Sequence, residues 1–382
     1  MPITLYYHSG WERCQIHGCP RGDAAWRDIL FEETPEHAGW KHLKIEADGV
    51  EFVVCDLAKQ SWDNPPASYG KPNYLIEESG IYTLRSGCLR RLRKQRVLVV
   101  TDLDHTLVGH GLDPEDIHLE EFRSVWLGEF ALNGSALAYS TGRNREMALD
   151  VAAERGLPRP DLLICGVGTE VYAVPSHLPV MGWWEEARSC LELVPEWKAR
   201  MLKDFDRVAA EATLREAFPE FEVRGTPEHD PYRIPTAYEV DEAFEGSKER
   251  LRAALGPAYQ VISSGDGAWK LIDVCPAEAG KLKAMQFAMQ TLGFGPSETL
   301  ACGDSGNDEL MYRCSGARAV MVSNALPELV MALSAASKNG TPLQKGVSFE
   351  TTHGSLVLYS SREVAGGIVE ALSHFWPQNG GV

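Results

Sequence analysis

At Val97 the chain changes rhythm. From there on, strands alternate with longer helical patterns, beginning with the apolar run 97–100 that leads straight into Asp102-Leu103-Asp104-His105-Thr106. Such alternation marks an α/β domain built on a parallel sheet with helices on its faces. A helix is expected over 113–132, with Asp113 as N-cap and Pro114 at its first position. Then come a strand at 136–142, a helix over 144–156 closed by Gly156, and a strand at 161–172. The rhythm resumes late: helix 279–294, strand 299–306, helix 307–314, strand 317–323 and helix 326–336.

On either side of this pattern the chain reads differently. Residues 1–88 hold short β-prone runs (3–10, 42–49, 50–57, 80–87) separated by Gly, Pro, Asn and Asp turns, with tryptophans at 11, 26, 40 and 62. A basic stretch, 89–96, predicts a solvated linker. The two α/β blocks, 97–174 and 271–382, are interrupted by 175–270. That interruption carries one long amphipathic helix (195–218), the segment 232–240, another helix, and a hairpin over 259–274 turning at Gly265-Asp266-Gly267. The expected fold is multidomain: an N-terminal all-β sandwich, then an α/β Rossmann-like core with an inserted α+β cap.

Composition limits the partners. A formal net charge of −17 over 382 residues disfavours nucleic acid and anionic membrane surfaces. Nine cysteines, with no CxxC pair, fit a reducing compartment. No apolar run approaches a membrane span and no signal peptide is evident, so a soluble intracellular protein is expected.

Chemistry gathers at the C-terminal ends of the expected parallel strands, where open α/β sheets place their sites. Asp102 and Asp104 follow the first strand and Ser140-Thr141-Gly142-Arg143 the second. After the insert come Gly280-Lys281 and then Gly303-Asp304-Ser305-Gly306-Asn307-Asp308. Taken singly, each reads as a turn, a helix cap or a surface lysine. In order, and each at a strand end, they describe phosphoryl transfer. Several carboxylates converging on one point require a hard cation, and Mg²⁺ suits oxygen-rich sites. A carboxylate is an accepted nucleophile toward phosphorus. A second one two residues on projects to the same side and can move protons, while a hydroxyl, helix-start N–H groups and a lysine hold phosphate oxygens.

These motifs (DxDxT, S/T, K and GDxxxD) resemble those of the haloacid dehalogenase superfamily of phosphatases. The resemblance implies Asp102 as nucleophile, Asp104 as general acid/base, Thr141 as phosphate ligand and Lys281 as charge stabiliser. It implies Mg²⁺ held by Asp102, Asp304 and Asp308 and by the backbone carbonyl of Asp104, with Thr106, Gly142 and Asn307 supporting the phosphate. Aspartate at 104 favours a phosphatase over a dehalogenase. The segments 138–144, 161–172, 300–311, 322–330 and 360–375 are similar to those of the sucrose-phosphate phosphatase family. The implied substrate is therefore sucrose 6-phosphate or a related disaccharide phosphate, hydrolysed through an aspartyl-phosphate beneath a cap. Trp183, Trp184 and Tyr232 are candidates to stack on the sugar, or equally to pack the cap.

Ahead of residue 88, the aromatic spacing resembles starch-binding modules of carbohydrate-binding module families 25 and 53. His17, Trp26 and Trp62 match positions that contact glucan there, implying starch or another α-glucan as partner and, as compartment, the cytoplasm or, if a transit peptide was removed, a plastid. Gly18 stands where an aromatic is usual and Pro65 where a second Asn is common, and both are expected near the binding surface. A phosphatase acting on phosphorylated glucan, or a glucan scaffold with a relic phosphatase domain, are the alternative readings.

Overall fold

Leu98–Thr101 is buried at every position, as a parallel strand covered on both faces must be. It lies at the centre of a nine-stranded sheet, parallel to Ala136–Ser140 on one side and to Thr299–Gly303 on the other. Leu162–Cys165 extends the first side; Arg318–Met321 and Leu356–Tyr359 extend the second. The chain thus builds one half outward, returns to the centre and builds the other half. That reversal opens a crevice at the C-terminal ends of the three central strands. The computed structural model describes residues 2–34, 39–109, 116–203, 205–239, 246–264, 269–338, 340 and 342–378. The helix start expected at Asp113 and Pro114 and the turn at Gly265-Asp266-Gly267 lie outside the described residues. None of the described helices is long and apolar enough to cross a membrane.

The chain divides into two compact units, one of Met1–Arg96 with Phe122–Ser135 and His177–Val180, the other of Val97–Glu121, Ala136–Ser176 and Met181–Val382. In the second, helices cover the sheet with small and flexible apolar residues, among them Ala284, Met285 and Ala288 of Lys281–Leu292 and Leu329 and Leu333 of Pro327–Ala336. Arg145–Arg155 follows the sequence reading closely. Asn144 caps it by accepting the Met147 N–H (3.0 Å), a cap worth about 1 kcal/mol, and Gly156 ends it in the left-handed region.

Several expectations are corrected here. The single strand read at 161–172 is a hairpin, Leu162–Cys165 and Glu170–Ala173 paired antiparallel across a turn with Gly166, Val167 and Gly168 all at positive φ. The helix read over 113–132 runs from Ile117 to Val125 and widens into a π turn over Trp126–Phe130, with Asp116 capping the Leu119 N–H at 3.0 Å. The long helix read over 195–218 is two, Pro195–Leu202 and Arg207–Ala217, the second capped by Asp206. Their apolar faces serve different cores. Trp197 of the first is fully buried in the main core against Phe287, whereas Ala210 and Leu214 of the second pack in the inserted domain.

The inserted domain is an antiparallel four-stranded sheet ordered Glu222–Val223, Ile234–Glu239, Trp269–Pro276, Tyr259–Ser264, covered by Arg207–Ala217 and Ser247–Leu255. Its boundaries differ from 175–270. Trp184–Cys190, the short strand Glu192–Leu193 and Pro195–Leu202 belong with the main sheet, so the cap begins near Asp206 and its last strand continues to Pro276. Trp183 is wholly buried with its indole N–H on the Leu157 carbonyl (3.0 Å), and Tyr232 is buried too, so both are packing residues.

The first unit is a β-sandwich. One sheet pairs Cys88–Arg91, Gly80–Arg85, Ile3–His8, Trp40–Ile45 and Glu32–Glu33. The other pairs Arg27–Leu30, Cys14–Pro20, Val50–Asp56 and Trp62–Asp63, with Tyr74–Ile76 also on Val50–Asp56. Ile3, Leu5 and Leu84 from one sheet meet Ile16, Phe52 and Val54 from the other in a single core. The solvated linker expected over 89–96 is instead part of this unit. Cys88–Arg91 is a strand, and Arg90 and Arg93 both bond the buried Glu129 (2.8 and 2.6 Å). A basic run looks solvated in sequence when its acidic partner lies some forty residues downstream.

Candidate active site

The loop after Leu98–Thr101 turns sharply. The N–H groups of Leu107 and Val108 both donate to the Leu103 carbonyl (3.0 and 2.8 Å), and His105 takes a positive φ of 57°. This places Asp102 at the strand end, 5% exposed, and Asp104 at the edge of the crevice. Asp102 Oδ1 accepts its neighbour's Leu103 N–H at 2.8 Å, and Oδ2 lies 3.1 Å from Lys281 Nζ.

Lys281 is the first residue of its helix, and its ammonium is buried between Asp102 and Asp308 (2.7 Å). Asp308 is fully buried, and its other oxygen accepts the N–H groups of Asp304 and Ser305 at 3.2 Å each. Gly303 is needed at the strand end, since a Cβ there would come within 2.3 Å of the Asp308 carboxyl carbon. Ligand oxygens of Asp102, Asp304 and Asp308 all lie within 4.8 Å of one another. One lysine cannot balance three carboxylates. Burial, with Lys281 opposing and Asp308 adding, pushes Asp102 up to about 7; burial, then Asp102 and Asp308, push Asp304 up to about 8. Buried, crowded, oxygen-only ligands short of positive charge fit a hard divalent cation such as Mg²⁺.

Asp104 stands apart from that cluster by its side chain. Arg143 grips it bidentately, Nε and Nη2 each 2.8 Å from a carboxylate oxygen. Thr141 is buried beside it, its hydroxyl oxygen accepting the Arg143 N–H at 3.1 Å. Asn307 and Gly142 line the crevice. Thr106 does not: its hydroxyl donates to Asp304 at 3.1 Å, so what it holds is that carboxylate.

Above the cluster the crevice widens into a cavity of about 540 Å³. Its floor includes Asp102, Asp104 and Asp304; its roof is cap, including Arg224, Thr236, Ser264 and Asp273. The sequence reading left Arg143, Arg233 and Asp273 without a role. Arg143 lies inside the Ser140-Thr141-Gly142-Arg143 motif and Arg233 inside the 232–240 segment, but nothing in sequence tells which arginine turns toward the site.

A second constellation lies in the β-sandwich. His17, on Cys14–Pro20, sits 5.3 Å from the Trp26 ring and 6.3 Å from the Trp62 ring, the latter edge-on at 84°. Both tryptophans are solvent-exposed, at 38% and 42%. The patch is braced: Asp28 bonds the His17 ring (2.7 Å) and Lys59 (2.8 Å), and the Trp62 indole N–H donates to the Lys59 carbonyl (3.1 Å). Gly18 is not on this surface. Strand alternation turns it inward, where a Cβ would lie 2.8 Å from Phe52 Cβ.

Comparison with known proteins agrees with the catalytic half of this description. The chain is 32% identical over 285 residues to "Probable sucrose-phosphatase 2" of Arabidopsis thaliana, covering 73% of this chain and 60% of that one. It is 28% identical to the mannosylfructose-phosphate phosphatase of Agrobacterium fabrum, over 61% of this chain and 85% of that one. The X-ray structure of the sucrose-phosphatase of Synechocystis sp. PCC6803, in complex with sucrose and phosphate, superposes with a TM-score of 0.57 at 27% identity, covering 74% of this chain and 98% of that one. The chain spans about three fifths of the length of the plant relatives it matches first. The core is a haloacid dehalogenase-like α/β fold, and with residues 95–376 matching the family described as sucrose-6F-phosphate phosphohydrolase, the chain belongs to that family.

Proposed function

We propose that the protein is a Mg²⁺-dependent phosphatase that hydrolyses sucrose 6-phosphate or a related disaccharide phosphate, and that its N-terminal unit binds starch or another α-glucan. The observation that carries the enzymatic reading is the 540 Å³ cavity that joins the carboxylate–lysine cluster to a polar roof. Its size is that of a small-molecule pocket. A roofed site favours a free sugar phosphate over a phosphorylated polymer, and the intact motif set argues against a relic domain.

In the first half-reaction an Asp102 oxygen bonds to phosphorus as the bond from phosphorus to the sugar oxygen breaks, and Asp104 supplies the proton that the leaving oxygen takes. In the second, Asp104 takes a proton from water, the water oxygen bonds to phosphorus, and the bond from phosphorus to Asp102 breaks, freeing phosphate. Lys281 lies against Asp102 and stabilises charge as it redistributes. The Thr141 hydroxyl accepts from Arg143, which leaves its own proton for a phosphate oxygen. Arg143 holds the Asp104 carboxyl group by both oxygens and so orients the group that gives and then takes the proton. Asp102, Asp304 and Asp308, with the Asp104 carbonyl, would hold Mg²⁺, which when bound neutralises charge on the phosphoryl group.

For the module, support comes from two exposed tryptophan rings and the half-buried His17 between them, braced by hydrogen bonds on one surface, which suits the apolar faces of glucose units. The test is phosphate release across sucrose 6-phosphate, trehalose 6-phosphate, hexose monophosphates and phosphorylated amylopectin. The reading expects a disaccharide phosphate to lead by kcat/KM; preference for amylopectin would overturn it.

A further inference from the structure

The inserted domain does more than roof the cavity. Arg233, immediately before the cap strand Ile234–Glu239, is buried, yet one of its nitrogens reaches out of its own domain. Nε donates to Asp230 (2.6 Å) and Nη1 approaches Asp273 (3.3 Å), both buried carboxylates of the cap. The same Nη1 donates at 2.6 Å to the backbone carbonyl of Gly142, in the core.

That carbonyl belongs to the peptide linking Gly142 to Arg143. The N–H of this peptide donates to the Thr141 hydroxyl oxygen, and the Arg143 side chain grips both oxygens of Asp104. One planar unit therefore carries a contact at each end: the carbonyl on the cap arginine, the N–H on the phosphate-binding threonine. A peptide beside glycine rotates more freely than others, because no Cβ restricts the glycine dihedrals. Around Gly142 there is room as well, a Cβ there meeting nothing nearer than Val167 Cγ1 at 3.7 Å. Neighbouring bonds hold the loop but leave this carbonyl alone: the Gly166 N–H goes to the Arg143 carbonyl and the Val167 N–H to that of Thr141. Gly142 and Arg233 both line the cavity, so this bond lies at its wall.

We propose that Arg233 is a positioning residue through which the cap sets the catalytic loop. Its bond to the Gly142 carbonyl fixes the Gly142–Arg143 peptide, and with it the Thr141 hydroxyl and the Arg143 clamp on Asp104. Docking of the cap and alignment of the acid/base are then one event, and chemistry proceeds only under a seated roof. The inference rests on the phosphatase reading above and adds to it a coupling between cap and loop.

The test compares wild type with R233K, R233Q and R233Q/D230N. The double variant removes one positive and one negative charge together, so the net charge of the buried group is unchanged, and thermal melting reads the cost of leaving Asp273 without its arginine. Steady-state phosphate release, calorimetric binding of inorganic phosphate and thermal melting are measured on each. The expected result is a kcat lower by about 10–100-fold in R233Q and R233Q/D230N, the scale of a small misplacement of reacting groups. KM changes less, phosphate binding weakens, and R233K melts like wild type while recovering only part of kcat. Wild-type kcat and phosphate affinity in the double variant, or full recovery of kcat together with stability in R233K, would overturn the inference. A wild-type protein that releases phosphate from no sugar phosphate would overturn the underlying reading instead, and phosphate affinity across the variants would still decide the role of Arg233.

Discussion

Asp102, Asp304 and Asp308 face one another in a buried space with a single lysine among them, an arrangement a protein keeps only for a purpose. Uncompensated buried carboxylate costs stability, and the same charge is what attracts a divalent cation. Asp304→Asn is therefore expected to raise the melting temperature of metal-stripped protein by a few degrees, on the order of 1 kcal/mol, while abolishing the further rise on adding Mg²⁺. Calorimetric melts with and without Mg²⁺ check this; a mutant that still responds to Mg²⁺ as wild type does would contradict the ligand assignment. Asp102→Asn should lower phosphate release by at least about 10³-fold without loss of fold, read by circular dichroism alongside turnover. At this scale the sequence was legible where spacing decides. Two carboxylates at i and i+2 after a buried strand, and another pair four residues apart at a strand end, lie at the ends of neighbouring strands, and three of the four meet within 4.8 Å. Arg143, Arg233 and the Thr106–Asp304 bond were not legible, because they depend on which way a side chain turns after the strands are assembled.

The Gly166–Gly168 turn is the element that brings the two halves of the catalytic sequence together. Gly168 has a φ of 91°, and a Cβ there would lie 2.6 Å from the Gly280 carbonyl, directly before Lys281. Gly168→Ala is thus expected to strain the backbone and push the start of the lysine helix. A loss of more than about 1 kcal/mol in stability should accompany reduced turnover, measured by denaturant titration and phosphate release. An alanine variant with wild-type stability would refute this close approach. In sequence the segment 161–172 read as one strand because its apolar residues run on past the glycines. The long helix over 195–218 was overread for a related reason: its charge pattern is continuous, but Trp197 and Leu214 are claimed by different cores. Local periodicity cannot say to which core a face is owed.

Across the whole molecule, the proposed sugar-phosphate site and a braced aromatic patch occur in one chain of net charge −17. An anionic substrate would need local positive charge there, from Lys281 and Arg143 together with the divalent cation that the three carboxylates fit. If the patch holds α-glucan, Trp26→Ala combined with Trp62→Ala should lower retention on starch granules by about tenfold or more in a pull-down, two stacking platforms being removed. Unchanged retention would move the glucan face elsewhere. Of the domain plan, the change of hydrophobic rhythm at Val97 was legible, and the second compact unit starts at that residue. Other boundaries were not: 89–96 joins the sandwich through Glu129, and 184–202 joins the main core through Trp197. The account stands or falls on covalent chemistry at Asp102. Rapid quenching during turnover of sucrose 6-phosphate, followed by borohydride reduction and peptide mass spectrometry, reads that residue directly. The prediction is homoserine at position 102, the reduction product of an aspartyl-phosphate. Turnover with unmodified aspartate at 102, or with homoserine at another aspartate, would contradict it.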